Sequence, residues 1–357
     1  MSTDTVAVAP VAAGRSVRRP WIRDLRTARI LRFAFGLTAA VAVSFGLSWP
    51  LFFITPMLVA VFLALPIPAP TIRQGLDNIF YILVAFVLGL GFTLILLSYP
   101  LVYVFALGLS LFHIYYLANR GGPFFLVLMC LLAVFILPMM GLQHQALAVA
   151  FTLHFPGSAA LAVVFIWLAH GVFPDPPTAY PAMAQGGFKP GYSESAAATA
   201  LKSTVAIWPL ATVFVVGEWT GQLLTLVFAA IFSLSPEVSK GTAAAVKSMK
   251  STLLGGLAAV VFFFLLVAVP EFHFFIALML FTALLFGQGI FSDKPGARYL
   301  PSAVIALVIL VGSSMTEGAS ITDNFIGRVV LLSAATLYVV AVLSALNHFW
   351  PQREPIT

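Results

Sequence analysis

The chain has 357 residues, 61% of them hydrophobic and 8% charged, with mean hydropathy +1.05 and net charge +6. No water-soluble fold of this length hides that much apolar surface, so the composition excludes a soluble domain and points to an integral membrane protein. The one cysteine, Cys130, excludes an intramolecular disulfide and makes a thiolate metal site implausible.

Residues 1–29 carry Arg15, Arg18, Arg19, Arg23, Arg26 and Arg29 without an apolar core of signal-peptide length. They read as a basic cytoplasmic tail lying against anionic lipid, followed by an uncleaved first helix. Nucleic-acid binding is disfavoured, because no aromatic residues interleave with these arginines and no soluble domain accompanies them.

Breaks at Pro, Gly and charge clusters divide the first half into apolar segments near 30–47, 51–66, 79–98, 101–117, 124–141 and 158–173. The segment at 51–66 is short for a span, so it is tilted, hairpinned or only partly crossing. Gln143 to Phe155 is apolar but carries His144, Gln145, Thr152 and His154. It reads either as an interfacial or re-entrant piece or as an extension of the sixth helix broken at Pro156.

Residues 174–197 open with Pro174-Asp175-Pro176-Pro177 and continue through Gly186-Gly187, which suits a cytoplasmic linker too short to form a domain. Six more apolar segments follow near 198–217, 221–235, 251–269, 272–291, 299–315 and 326–348, before a short tail at 351–357. The halves 30–173 and 198–350 match at an offset of 170. Arg32 answers Lys202, Trp49 answers Trp219, Pro66 answers Pro236 and Pro100 answers Pro270, while His154, Phe155, Gly157 and Ser158 answer Asn324, Phe325, Gly327 and Arg328. Gly89 and Gly91 best match Gly255 and Gly256, after a slip of a few residues. The expected fold is therefore all-α and polytopic, with about twelve transmembrane helices in two parallel six-helix repeats.

With both termini cytoplasmic, this layout puts every Lys and Arg except Arg328 on the inner side. Glu218, Glu271, Glu317 and Asp323 fall on the outer side with it. Arg328 opens an apolar helix, and an ionisable group in such a place faces an ionic partner, the interface or a substrate path. Its guanidinium suits a carboxylate. Arg328, Asn324 and His154 are thus candidates for substrate binding, and Glu218, Glu271 and Asp323 for proton coupling, since burial of a carboxylate favours its protonated form. Each has a plainer reading, as an interfacial ion pair, a solvated acid beside Trp219 or a packed histidine. His170 and Asp175 share an acyltransferase-like spacing, but Asp175 lies between prolines and no phosphate-binding block accompanies it. Neither an enzyme, a cofactor nor a metal site is expected.

The six-segment halves, the basic openings at Arg32 and Lys202, the glycine-bearing third helix of each half and the final helix opened by Gly327-Arg328 carry a resemblance. The chain resembles the fusaric-acid-resistance and aromatic-acid-exporter superfamily of bacterial inner-membrane proteins. That resemblance implies proton-driven export of small organic anions, often aromatic, and a periplasmic adaptor protein as partner. Two departures stand out: many relatives carry a soluble region between the halves that this linker is too short to supply, and Ser158 stands where the second half has Arg328. A passive anion channel and a non-transporting scaffold of an efflux complex are the alternatives, and self-association into a homo-oligomer is left open.

Overall fold

The structure, a computed structural model, describes residues 24–174, 191–218 and 238–317, together with Tyr338, Ala341, Val342 and Ala345. The described residues form ten α-helices, one 3-10 turn at Ala297–Tyr299 and no strand. The helices are α1 (Leu25–Gly46), α2 (Ile54–Leu63), α3 (Ile72–Leu96), α4 (Pro100–Asn119), α5 (Phe124–Gln143), α6 (Gln145–Val172), α7 (Glu194–Val216), α8 (Val238–Ala268), α9 (Phe272–Ile290) and α10 (Leu300–Glu317). Eight contain an apolar stretch long enough to cross a membrane, and α2 and α10 offer shorter apolar stretches. The expected segment 221–235, and all of 326–348 except Tyr338, Ala341, Val342 and Ala345, lie outside the described residues.

Helix starts follow local chemistry. The Asp24 carboxylate caps α1 by accepting from the backbone N–H of Arg26 and Thr27 at 3.2 and 3.1 Å. Thr71 and Gln74 form a reciprocal capping box on α3. Ser193 caps α7, and Pro100 opens α4, where its missing N–H costs nothing. At the start of α6, His144 Nδ1 accepts from Ala146 N at 3.2 Å. The helix then runs unbroken through Pro156 for 28 residues, about 42 Å. The expected interfacial piece at Gln143 to Phe155 thus spans the last residue of α5, the extended cap His144 and the first part of a single long helix. In contrast, the ten residues of α2 reach only about 15 Å, half the thickness of a hydrocarbon core.

In a bilayer the hydrophobic effect does not drive helices together, so close packing must. Gly89 on α3 lets α5 approach; a Cβ there would lie 2.9 Å from the Ala133 methyl. Gly255 on α8 does the same for α10, where a Cβ would run into the Ala303 carbonyl. Within the first six helices α3 packs on α5 and α6, and α2 packs on α1 and α6. Phe86 stacks on Phe155 at 4.6 Å to tie α3 to α6. The outward faces stay apolar, with Leu88, Ile95, Leu101 and Phe105 more than half exposed, as lipid contact requires.

The first six helices meet the rest where α2 packs on α10 and along two longer seams. Along the first, α1 lies antiparallel to α9, with Arg26 Nη2 donating to the Gln288 carbonyl at 3.3 Å near one end and Phe45 against Phe275 at 5.1 Å near the other. Along the second, α4 lies antiparallel to α7. There Trp208 Nε1 donates to the Val104 carbonyl at 2.7 Å and Ser193 N donates to the Tyr116 hydroxyl at 3.0 Å. The chain direction and these contacts put the described Lys and Arg residues at one end of the bundle, and Glu218, Glu271, His144, His154 and His273 at the other.

Candidate functional site

The seams and the two ends are where function has to be sought. At the end opposite the basic residues, α1 finishes in a turn with Leu47 N donating to the Val43 carbonyl and Ser48 N to the Phe45 carbonyl. Ser48 adopts φ +49°, in the left-handed region. Then α7 finishes the same way: Gly217 N donates to Val213, Glu218 N to Val215, and Glu218 adopts φ +53°. A left-handed conformation is uncommon outside glycine, because Cβ crowds the backbone. Glu218 is exposed in this turn, and Glu271 is exposed at the start of α9. His154 is also exposed on α6, next to Leu153 at 69% exposure.

Arg328, Asn324 and Asp323 lie outside the described residues. Ser158, which answers Arg328 in the sequence, is fully buried. Its hydroxyl accepts from Trp49 Nε1 at 3.2 Å and donates to the Pro50 carbonyl at 3.2 Å, while its own carbonyl accepts from Thr55 Oγ1 at 3.0 Å. Three hydrogen bonds therefore fix the α1–α2 turn to the middle of α6.

Three buried polar groups have no hydrogen-bond partner among the described residues: Thr38 Oγ1 and Ser44 Oγ on α1, and the Tyr103 hydroxyl on α4. Both helices build the seams. A polar group buried without a partner is costly and calls for an explanation such as water or a ligand. Composition alone did not single these residues out, because Ser and Thr in an apolar helix usually bond back to the preceding turn, as Thr93 does to Gly89, and a Tyr there reads as packing.

At the basic end, Arg32 is buried and its Nε donates to the Phe173 carbonyl at 3.0 Å, which satisfies the C-terminus of α6. Lys202, its counterpart, is 2% exposed on α7. A cleft of about 600 Å³ opens at this end, lined by Arg26 and Arg29 of α1, Leu65 and Pro66 after α2, Lys247 of α8, and Asp293 and Arg298 in the α9–α10 connection. The sequence puts these residues at one end but does not say that they converge. No group of His, Cys, Asp and Glu among the described residues is arranged to hold a metal.

An all-helical bundle with eight long apolar helices and outward apolar faces is the architecture of a membrane-spanning protein. A family model described as protein of unknown function (DUF2955) matches residues 29–169, from the first turn of α1 to near the end of α6. Neither the curated proteins nor the solved structures contain a match to the chain.

Proposed function

We propose that this chain is a secondary transporter of the bacterial inner membrane that exports small amphipathic or aromatic organic acids, coupled to the proton gradient. The observation that carries this reading is the reciprocal packing of the seams. At the 170-residue offset α7 answers α1 and α9 answers α4, so the α1–α9 and α4–α7 seams are the pair that a twofold relation between the halves would exchange. The matching turns at Ser48 and Glu218 support it, as do the matching close approaches of Gly89 to Ala133 and Gly255 to Ala303. Two parallel halves related by an axis along the membrane normal are a recurrent transporter plan, with the solute path between them and access alternating as one half rocks on the other.

The hydroxyls of Thr38, Ser44 and Tyr103 on seam helices, which have no partner among the described residues, supply polar groups that a passing solute or water would satisfy. The resemblance to fusaric-acid-resistance and aromatic-acid exporters supplies the substrate class, along with a periplasmic adaptor as partner. Arg328 and Asn324 are assigned to the substrate anion, together with His154, which is exposed on α6. Glu218, Glu271 and Asp323 are assigned to the proton, and the basic end, by the positive-inside rule, to the cytoplasm with both termini.

Arg328→Ala is expected to abolish export from cells while the protein stays inserted at its usual level, and Arg353→Ala is expected to leave export intact. Unchanged export by the Arg328 variant would remove that residue from the path. Glu218→Gln is expected to flatten the dependence of export on external pH; an unchanged profile would take Glu218 out of the coupling.

A further inference from the structure

We propose that the basic cleft seats the phosphate of an anionic phospholipid headgroup, with the lipid's acyl chains running down the outer face of α8. Arg26, Arg29, Lys247 and Arg298 come to this cleft from three separate parts of the chain, against two carboxylates. One of those carboxylates, Asp24, is already occupied: its oxygens accept from Thr27 Oγ1 at 2.5 Å and from two backbone N–H groups of α1. The surplus charge is therefore positive, and it sits where the apolar helices end, at headgroup depth. Basic pockets between helix ends are suited to lipid phosphates, which guanidinium groups bind through paired hydrogen bonds.

What favours a lipid over a soluble oxyanion is the surface below the charges. On α8, Lys247 is followed at helical spacing by Leu254, Val261 and Leu265, which are 45%, 53% and 46% exposed. Positions 7, 14 and 18 residues along a helix fall within about 40° of one another. A cation thus heads a continuous apolar stripe that points away from the bundle, matching a phospholipid's headgroup and chains. Beside it, the Lys250 ammonium lies 5.5 Å from the centroid of the Tyr299 ring and the Arg298 guanidinium 4.8 Å from it. These contacts steady Arg298 at the rim. A soluble acid would use the charges alone, whereas a phospholipid uses the charges and the stripe together.

The test is native mass spectrometry of the full chain released from phosphatidylcholine nanodiscs doped with phosphatidylglycerol. The wild type is expected to retain one phosphatidylglycerol in preference to phosphatidylcholine. Lys247→Gln with Arg298→Gln, both at exposed positions, is expected to weaken that retention roughly thirtyfold, about fivefold per cation. The paired control Arg73→Gln with Lys294→Gln removes two exposed charges at the same end outside the cleft lining and is expected to retain the lipid. Equal loss in both variants would mean unspecific surface attraction, and no loss in either would leave the cleft without a lipid. Displacement of the lipid by millimolar inorganic phosphate would assign the cleft to a soluble oxyanion. Each of these results overturns the proposal, and none depends on whether the chain transports anything.

Discussion

Ser158 shows how much one small residue settles. Its hydroxyl and carbonyl take up the Trp49 indole N–H, the Pro50 carbonyl and the Thr55 hydroxyl. Ser158→Ala would remove the bonds to the Trp49 indole and the Pro50 carbonyl, at a cost of about 0.5–1.5 kcal/mol each. Thermal unfolding in detergent should register that loss, and the Gly157→Ala neighbour, with open space around its Cβ position, should not. Asp24 gives a pH-dependent case. The hydrogen bond from the Thr27 hydroxyl, then those from the Thr27 and Arg26 amides, hold its carboxyl below the ordinary aspartate value of 3.8. A carboxylate held low stabilises the fold at all pH values above its unfolded pKa, and that contribution fades as pH falls through the lower folded value. Asp24→Ala should therefore lower the melting temperature at neutral pH, and the gap to wild type should narrow below pH 3.8. A gap that stays constant down to strong acid would show that the cap works without its charge.

At the scale of the elements, close approach matters more than apolar area, because lipid is as good a solvent for leucine as a neighbouring helix is. Gly255→Val places methyl groups where the Ala303 backbone already lies. It should destabilise the α8–α10 pair by about 1–3 kcal/mol or more. Gly91→Val on α3, where nothing stands within 4 Å, is the matched control and should cost no more than its helix propensity. A fall of similar size in both would contradict the packing account. The same elements show what hydropathy can and cannot locate. Segments bounded by Pro and Gly, such as 101–117 and 124–141, agree with α4 and α5 to within two residues. By contrast, α6 begins at 145 rather than 158, and α8 at 238 rather than 251. His144, His154, Lys247 and Lys250 read as breaks in an apolar pattern, yet a helix carries such residues readily once it projects past the hydrocarbon or turns them away from it.

For the whole molecule, the apolar class and the clustering of positive charge at one end follow from composition and spacing. Ser48 and Glu218, 170 residues apart, both adopt the left-handed conformation, which no residue type in the sequence announces. The seams were not legible, since nothing in the segment pattern says that α1 packs on α9 and α4 on α7. The converging cations of the cleft were equally hidden, because they meet only through those packings. Of the candidate site residues, Glu218, Glu271 and His154 fall at one exposed end as their segment positions imply. Their partnership with Arg328 is a matter for function. The reading of two halves around a shared path stands or falls on transport. The measurement to make is uptake of radiolabelled benzoate, with an aliphatic carboxylate for comparison, into everted membrane vesicles containing the protein, with and without an imposed proton gradient. Gradient-dependent accumulation above vesicles lacking the protein is the predicted result. Equilibration that ignores the gradient, or no flux of either acid, would contradict a proton-coupled exporter.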